Sequence, residues 1–408
     1  MTHYMIDAPG PTQGRERIPT LDVLRGFALF CILLVNVQDF SAPGWPGLRA
    51  EWTDAPDRVV VWLLKFAAEA KFRAVFAFLF GLGFALQLRR TRTADDTFTG
   101  LYVRRLVVLL LIGVAHFLLL WEADILASYA LVGFLLLLFA RCSTSQSLQA
   151  AGALAGLAVA ALCVIVLLAT PRAGGPGTIP PEKFESAAIY RQGSYLDVVS
   201  YRVKQLPMYL GRSVVSAPST LMLFLLGLAA GKAGLVQEPL VHRVLLRRLF
   251  VTGLLFGLIA NGIVTVYSPR LMAVPKLARL PIVACYVLGS PVLGLAYLAG
   301  LTLLQLNPYW RALLTPLAAP GRMALTNYLL QSVICTTLFY GYGLGWYNRI
   351  SPAQGVGLCL AIFGAQALLS WIWLLRFRHG PAEWLWRSLT YLRPLPLRLE
   401  AGTGASAG

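Results

Sequence analysis

The chain has 408 residues, 57% of them hydrophobic and 13% charged, with a formal net charge of +17. A soluble domain usually carries about 25% charged residues. Here apolar runs of about 18–25 residues recur instead, so the composition excludes an ordinary soluble enzyme and indicates membrane-spanning helices. The basic residues sit mostly between the apolar runs, where the positive-inside rule places them, and not in a nucleic-acid-binding patch.

Residues 1–19 are polar, with scattered Pro and Gly, and read as a flexible cytoplasmic N-terminus. The first span, about Thr20–Gln38, holds LDVLRGFALFCILLVN. No small-residue cleavage site follows it, so it is expected to be a retained anchor. An acidic, aromatic loop with Trp45, Glu51, Trp52, Asp54 and Asp57 comes next. Residues 58–70 suggest a surface helix, on which Lys65, Glu69 and Arg73 fall four apart and can pair. The second span is about Phe72–Leu88, with Gly81 and Gly83 as close-contact positions. The five arginines of RRTRTADDTFTGLYVRR mark a cytoplasmic loop. Spans three and four, about Leu106–Trp121 and Ile125–Ala140, are joined by the short turn WEAD into a tight antiparallel hairpin. The fifth is about Ala150–Ala169. Segment 170–217, with Tyr190, Tyr195, Tyr201 and Tyr209, reads as a folded, interfacial extracytoplasmic connection.

The sixth span is about Thr220–Leu235, followed by the basic HRVLLRR. The seventh is about Phe250–Tyr267 and the eighth about Pro281–Leu304. The ninth starts at GRMALTNYLLQS and ends near Tyr342, and the tenth is about Gln354–Arg376. The pattern predicts an all-α, polytopic transmembrane bundle of about ten spans with both termini cytoplasmic. Arg89, Arg90, Arg92, Arg104, Arg105, Arg243, Arg247 and Arg248 lie inside in this arrangement, and most acids lie outside. One transmembrane domain is expected over 20–393, with a disordered tail over 394–408.

Polar groups inside such spans are costly and mark functional interiors. Arg25 and Asn36 are eleven residues apart, which returns to nearly the same helix face roughly 16 Å higher. Asp22 and Arg25 can pair at the cytoplasmic end, and the guanidinium suits a phosphate. His116 is the one histidine of the four within a span, and it falls at a depth similar to Asn36. Histidine is the natural proton carrier near neutral pH, and Glu122 or Asp124 at the next turn can orient it. Asp124 can equally cap the fourth span. In the ninth span Arg322, Asn327 and Gln331 suggest the wall of a polar cavity. In HGPAEWLWR, Pro381 and Glu383 signal a helix start and the tryptophans an interface anchor. The six cysteines lie in or beside apolar segments, with no CxxC or zinc spacing, so no metal is expected. No Walker loop, GxSxG, HExxH or GxGxxG appears.

LDVLRGFALFCILLVN, RRLVVLLLIGVAHFLLLWEADILASYALVG, GRMALTNYLLQS and HGPAEWLWRSLTY together resemble the YeiB-like bacterial membrane-protein family, domain of unknown function 418. The first helix is also similar to that of the wider transmembrane acyltransferases, which move an acyl group from cytosolic acyl-CoA to a hydroxyl or amine on the far side. In the O-acetyltransferases of that group an Arg is followed eleven residues later by His. Arg25 matches, but Asn36 stands where that His would be. The heparan enzyme has Asn there and a His eleven residues further on, a position held here by Gly47. The resemblance implies acyl-CoA as co-substrate, its phosphates held by Arg25 with Arg104 and Arg105, and no other bound cofactor. His116 with Asp124 or Glu122 then serves as base, and Asn36 binds the acceptor, a small molecule, glycan or lipid. The expected location is the bacterial inner membrane. The competing expectations are a transporter or lipid flippase, with the same polar faces lining a path, and a non-catalytic scaffold.

Overall fold

The computed structural model describes residues 18–43, 48–50, 52–90, 95–169, 179, 181–267, 271 and 273–399. Within them the chain is helical throughout: α1 (Pro19–Ser41), α2 (Ala55–Leu63), α3 (Lys71–Arg90), α4 (Asp95–Leu119), α5 (Leu126–Leu136), α6 (Thr144–Leu168), α7 (Pro181–Gln192), α8 (Tyr195–Ala233), α9 (Arg243–Tyr267), α10 (Arg279–Leu304), α11 (Pro308–Leu314), α12 (Ala318–Arg322), α13 (Ala324–Phe339), α14 (Pro352–Leu374) and α15 (Pro381–Tyr391). Local sequence sets several of the ends. Ser143, Ser194 and Ser351 each form a capping box with Gln146, Asp197 and Gln354 at the starts of α6, α8 and α14. Gly234, at φ +77°, closes α8 in the left-handed conformation that favours glycine.

Each of the ten expected spans falls on an apolar helix. Among the described residues, eight helices are long and apolar enough to cross a membrane. The other two, Leu126–Phe139 and Ala324–Phe339, are shorter, reaching only about 21 and 24 Å at 1.5 Å per residue. The chain therefore reads as a multi-pass membrane protein, and the exposed Leu255, Phe256 and Ile259 of α9 suit a lipid-facing surface.

Three local expectations change. The surface helix over 58–70 does not run on: a π-turn covers Leu64–Ala68 and Ala70 has φ +67°. Lys65, Glu69 and Arg73 therefore do not share one helix face. Segment 170–217 is helical where described, and its second half continues without a break into the sixth expected span as the 39-residue α8. Residues 394–399, expected in a disordered tail, pack back instead. The Arg378 N–H donates to Leu397 O at 2.8 Å, Leu399 N–H to Arg376 O at 3.0 Å, and Trp384 Nε1–H to Leu395 O at 2.7 Å. These backbone and indole groups would otherwise lack partners at the edge of an apolar bundle.

The first helix is the hub. Leu24, Ala28, Leu29, Leu33 and Val37 of α1 are buried in the largest core cluster, together with residues of α3, α13 and α14. Its Gly26 lies against Gly321 of α12 so closely that a Cβ on either would overlap backbone of the other segment. A second cluster, around Phe84, Leu106, Leu136 and Phe224, joins α3, α4, α5 and α8.

The bundle has two distinct ends. At one, Asn348 N–H donates to Ser41 O, Gly341 N–H to Tyr190 O, and the Tyr195 hydroxyl to Leu119 O. This is the Asp124 end. At the other, Trp386 Nε1–H donates to Arg105 O at 2.9 Å, and α12 meets the start of α1. This is the Arg25 end.

Candidate functional site

The short turn after α4 brings together residues eight apart in sequence. Gly113 lets α4 and α5 approach so closely that a Cβ there would overlap Ala127. At the start of the turn Trp121 stacks on Phe40 of α1, with ring centroids 4.1 Å apart, which fixes the exit of the chain from α4. Asp124 then faces back to α4, and its Oδ1 lies 2.8 Å from His116 Nδ1. Its Oδ2 accepts the Ala127 N–H at 2.7 Å and the Tyr209 hydroxyl at 3.2 Å. Asp124 thus both orients His116 and caps α5.

The other ring nitrogen, His116 Nε2, lies 2.8 Å from Ser332 Oγ on α13, across 216 residues of sequence. His116 is 2% exposed, Ser332 1% and Asp124 5%. The carboxylate can only accept, so the hydrogen of a neutral ring belongs on Nδ1. Nε2 is then the acceptor and the Ser332 hydroxyl donates to it. The other acceptor open to that hydroxyl, Tyr328 O, is 3.5 Å away. Tyr328 also packs its ring against the imidazole at 5.0 Å. A hydroxyl, an imidazole and a carboxylate in one hydrogen-bonded line is the arrangement that raises the nucleophilicity of an alcohol. The network continues through Tyr209 to Ser128 Oγ at 3.0 Å and on to Ser213 Oγ at 2.8 Å.

The two hydrogen bonds of the His116 ring go to Asp124 and Ser332, and neither goes to Asn36 or Glu122. Asn36 is half-buried on α1, and both His116 nitrogens are already engaged. The Glu122 carboxylate acts on a cluster of tyrosines that includes Tyr190, Tyr340 and Tyr347. Gly47 lies outside the described residues.

At the Arg25 end, Arg25 Nη1 lies 3.7 Å from Asp22 Oδ1, and Gly83 of α3 leaves room beside its guanidinium. The Arg105 guanidinium stacks 3.9 Å above the Trp386 ring, close enough to Arg25 and Arg387 for their charges to act on it. Arg104 is exposed. Glu383 of α15 holds the start of α13. Its Oε1 accepts Leu325 N–H at 2.6 Å and Thr326 N–H at 3.1 Å, and its Oε2 accepts the Thr326 hydroxyl at 2.5 Å. Burial raises the Glu383 carboxyl above its ordinary range, against the lowering effect of these bonds.

The polar residues of α13 form a seam with α14 in place of an open cavity wall. Asn327 Nδ2–H donates to Ser370 Oγ at 2.9 Å and Gln331 Nε2–H to Gln366 Oε1 at 3.0 Å, while Arg322 is half-buried at the end of α12. The sequence gives no local signal for Ser332 as the partner of His116, because the contact is made only when α4 and α13 pack.

The family model described as "Protein of unknown function (DUF418)" matches residues 230–393. The chain is 35% identical over 415 residues to the uncharacterized protein YxaH of Bacillus subtilis (strain 168), covering 95% of this chain and 97% of that one. It is 33% identical over 394 residues to the uncharacterized protein YeiB of Escherichia coli (strain K12), covering 92% and 96%. A protein from the amylase 3' region of Bacillus acidopullulyticus is 32% identical over 386 residues, covering 94% and 97%. With such matches along nearly its whole length, the chain belongs to the YeiB-like DUF418 family.

Proposed function

We propose that this protein is an acyltransferase of the bacterial cytoplasmic membrane, with the Arg25 end in the cytoplasm and the Asp124 end outside. The observation that carries the reading is the Ser332–His116–Asp124 line, with 2.8 Å at both of its hydrogen bonds. The donor is acyl-CoA. Arg25 and Arg105, with Arg104 beside them and Arg387 close by, supply positive charge for its phosphates. The thioester arm runs along α1 toward His116.

In the first half-reaction His116 Nε2 takes the Ser332 proton as Oγ attacks the thioester carbonyl. The C–O bond forms, the C–S bond breaks, and the CoA thiolate leaves with the proton from His116. The acyl group is then an ester on Ser332. In the second, His116 takes a proton from the acceptor hydroxyl or amine, which attacks that ester. Ser332 Oγ leaves and recovers the proton. Asp124 keeps the imidazole in the required tautomer and stabilises its cation in both steps. Because the line is sealed from solvent, α13 or the α4–α5 turn must yield to admit the thioester.

The sealed burial also favours a second reading, an occluded transporter or flippase in which His116 relays protons. Release of CoA thiol from acetyl-CoA by purified protein separates the two. Acyl transfer predicts thiol release that falls at least a hundredfold in both Ser332→Ala and His116→Ala. Release unchanged in both variants contradicts it. Proton-coupled uptake that needs His116 but not Ser332 supports the transporter.

A further inference from the structure

The first turns of α8 carry a buried cation that the proposed reaction does not use. Arg202 is 0% exposed. Its Nη1–H reaches Leu118 O at 3.4 Å, two residues past His116 on α4. Its Nε and Nη2 are buried and have no hydrogen-bond partner among the described residues. Those two nitrogens form one edge of the guanidinium, the edge that takes two oxygens of a single anion in parallel. An unpaired charge held out of water costs several kcal/mol, so its place here calls for a partner that comes and goes.

The surroundings are aromatic. The guanidinium carbon is 6.0 Å from the Tyr190 ring centroid and 5.8 Å from that of Tyr340, at the outer limit of a cation–π contact. The Tyr190 hydroxyl is itself buried, with no close hydrogen-bond partner among the described residues and with the Glu122 carboxylate and the Arg202 guanidinium near it. Burial, and after it the Glu122 carboxylate, holds that phenol above its ordinary range, so it stays protonated and able to donate. The Nε–Nη2 edge therefore lies beside the Tyr190 hydroxyl without an acceptor of its own among the described residues, while that hydroxyl is in reach of the Glu122 carboxylate. Tyr190 touches Tyr201 and Tyr347, and these two rings also line two clefts beside α7. One cleft is about 410 Å³ and includes Gln192, Ser200 and Lys204. The other is about 230 Å³ and includes Arg191 and Asn348. Arg191 gives the second cleft a positive charge, whereas in the first Lys204 is accompanied by the Asp197 carboxylate.

We propose that the Nε–Nη2 edge of Arg202 and the Tyr190 hydroxyl form a binding site for a phosphate group at the Asp124 end. The Nε–Nη2 edge takes two unesterified oxygens in parallel, which a phosphate monoester and a phosphodiester both offer, and the Tyr190 hydroxyl can donate to the same group. The phosphate belongs to a lipid headgroup or to a free phosphate ester. On the acyl-transfer reading, on which only this last step rests, the site anchors the acceptor beside His116.

The test is thermal unfolding of the full chain in a neutral detergent. One arm titrates short-chain phosphatidylglycerol, a second sn-glycerol 3-phosphate, and a control arm diacylglycerol of the same chain length. The expected result is a saturable rise in midpoint with a phosphate ligand and none with diacylglycerol. A rise with phosphatidylglycerol alone assigns a lipid headgroup, and a rise with glycerol phosphate as well assigns a free ester. Arg202→Lys, which keeps charge but loses the fork, is expected to weaken apparent affinity at least tenfold. Arg202→Met is expected to abolish the rise while unfolding no earlier than wild type without ligand, because an unpaired buried charge is gone. His116→Ala is expected to keep the rise, so failure of the catalytic reading leaves this one standing. No rise with either phosphate ligand, or an equal rise in Arg202→Met, overturns the proposal.

Discussion

Asp124 uses one carboxylate oxygen for each of two tasks: Oδ1 meets His116 Nδ1 at 2.8 Å, and Oδ2 accepts the Ala127 N–H at 2.7 Å. Asparagine has the same shape but only one acceptor. In Asp124→Asn the amide oxygen is needed by the buried Ala127 N–H, so the amide nitrogen must face His116. That forces the ring hydrogen onto Nε2, where it blocks uptake of the Ser332 proton. The variant is expected to fold with a near-native unfolding midpoint and to lose transfer by about 10²–10⁴. A folded Asp124→Asn protein with wild-type turnover would contradict the assigned tautomer. At this scale the sequence was half legible. His116 and Asp124 stand out because a membrane span tolerates few ionisable groups and because WEAD is too short to carry them apart. Ser332 does not stand out, since a serine in a span is an ordinary hydrogen-bonding residue. Arg202 was hidden by the reading of its segment as a loop, where an arginine is unremarkable.

Elements that look peripheral in the sequence hold the site-bearing helices. The short α15 supplies Glu383, which satisfies Leu325 N–H and Thr326 N–H at the start of α13 and so sets the height of Ser332. Removing that acceptor in Glu383→Ala leaves donors unpaired, a cost of about 1–3 kcal/mol each. The carboxyl titrates above its ordinary 4.5 because it is buried. A carboxyl raised on folding favours the fold below its ordinary value, and that contribution is lost as pH rises through the raised value. Relative to wild type, the unfolding midpoint of Glu383→Gln is therefore expected to climb as pH increases from 4.5. A difference between the two proteins that is flat in pH would show that the carboxyl is not shifted. Helix starts were readable from Ser, Pro and Glu spacing, as at Gly380–Glu383. What Glu383 caps was not, because its partners are 57 and 58 residues away.

For the whole molecule, the sequence laid out the apolar helices well, since hydropathy reports directly on the solvent around a span. It missed the 39-residue α8, because Asp197, Arg202, Lys204 and Arg212 interrupt the apolar run over the first half of that helix. The folded molecule places arginines near one end of the bundle, and toward the other it places Arg202 and the Ser332–His116–Asp124 line. On the proposed acyl-transfer reading the donor meets one end and the acceptor the other, and the role proposed for Ser332 is that of the nucleophile joining them. Its most direct test is reaction of the purified protein with a fluorophosphonate probe, read by peptide mass spectrometry. A covalent adduct on Ser332 is expected, absent in Ser332→Ala and strongly slowed in His116→Ala. Folded protein that carries no adduct on Ser332, in the presence of acyl-CoA or without it, would contradict it.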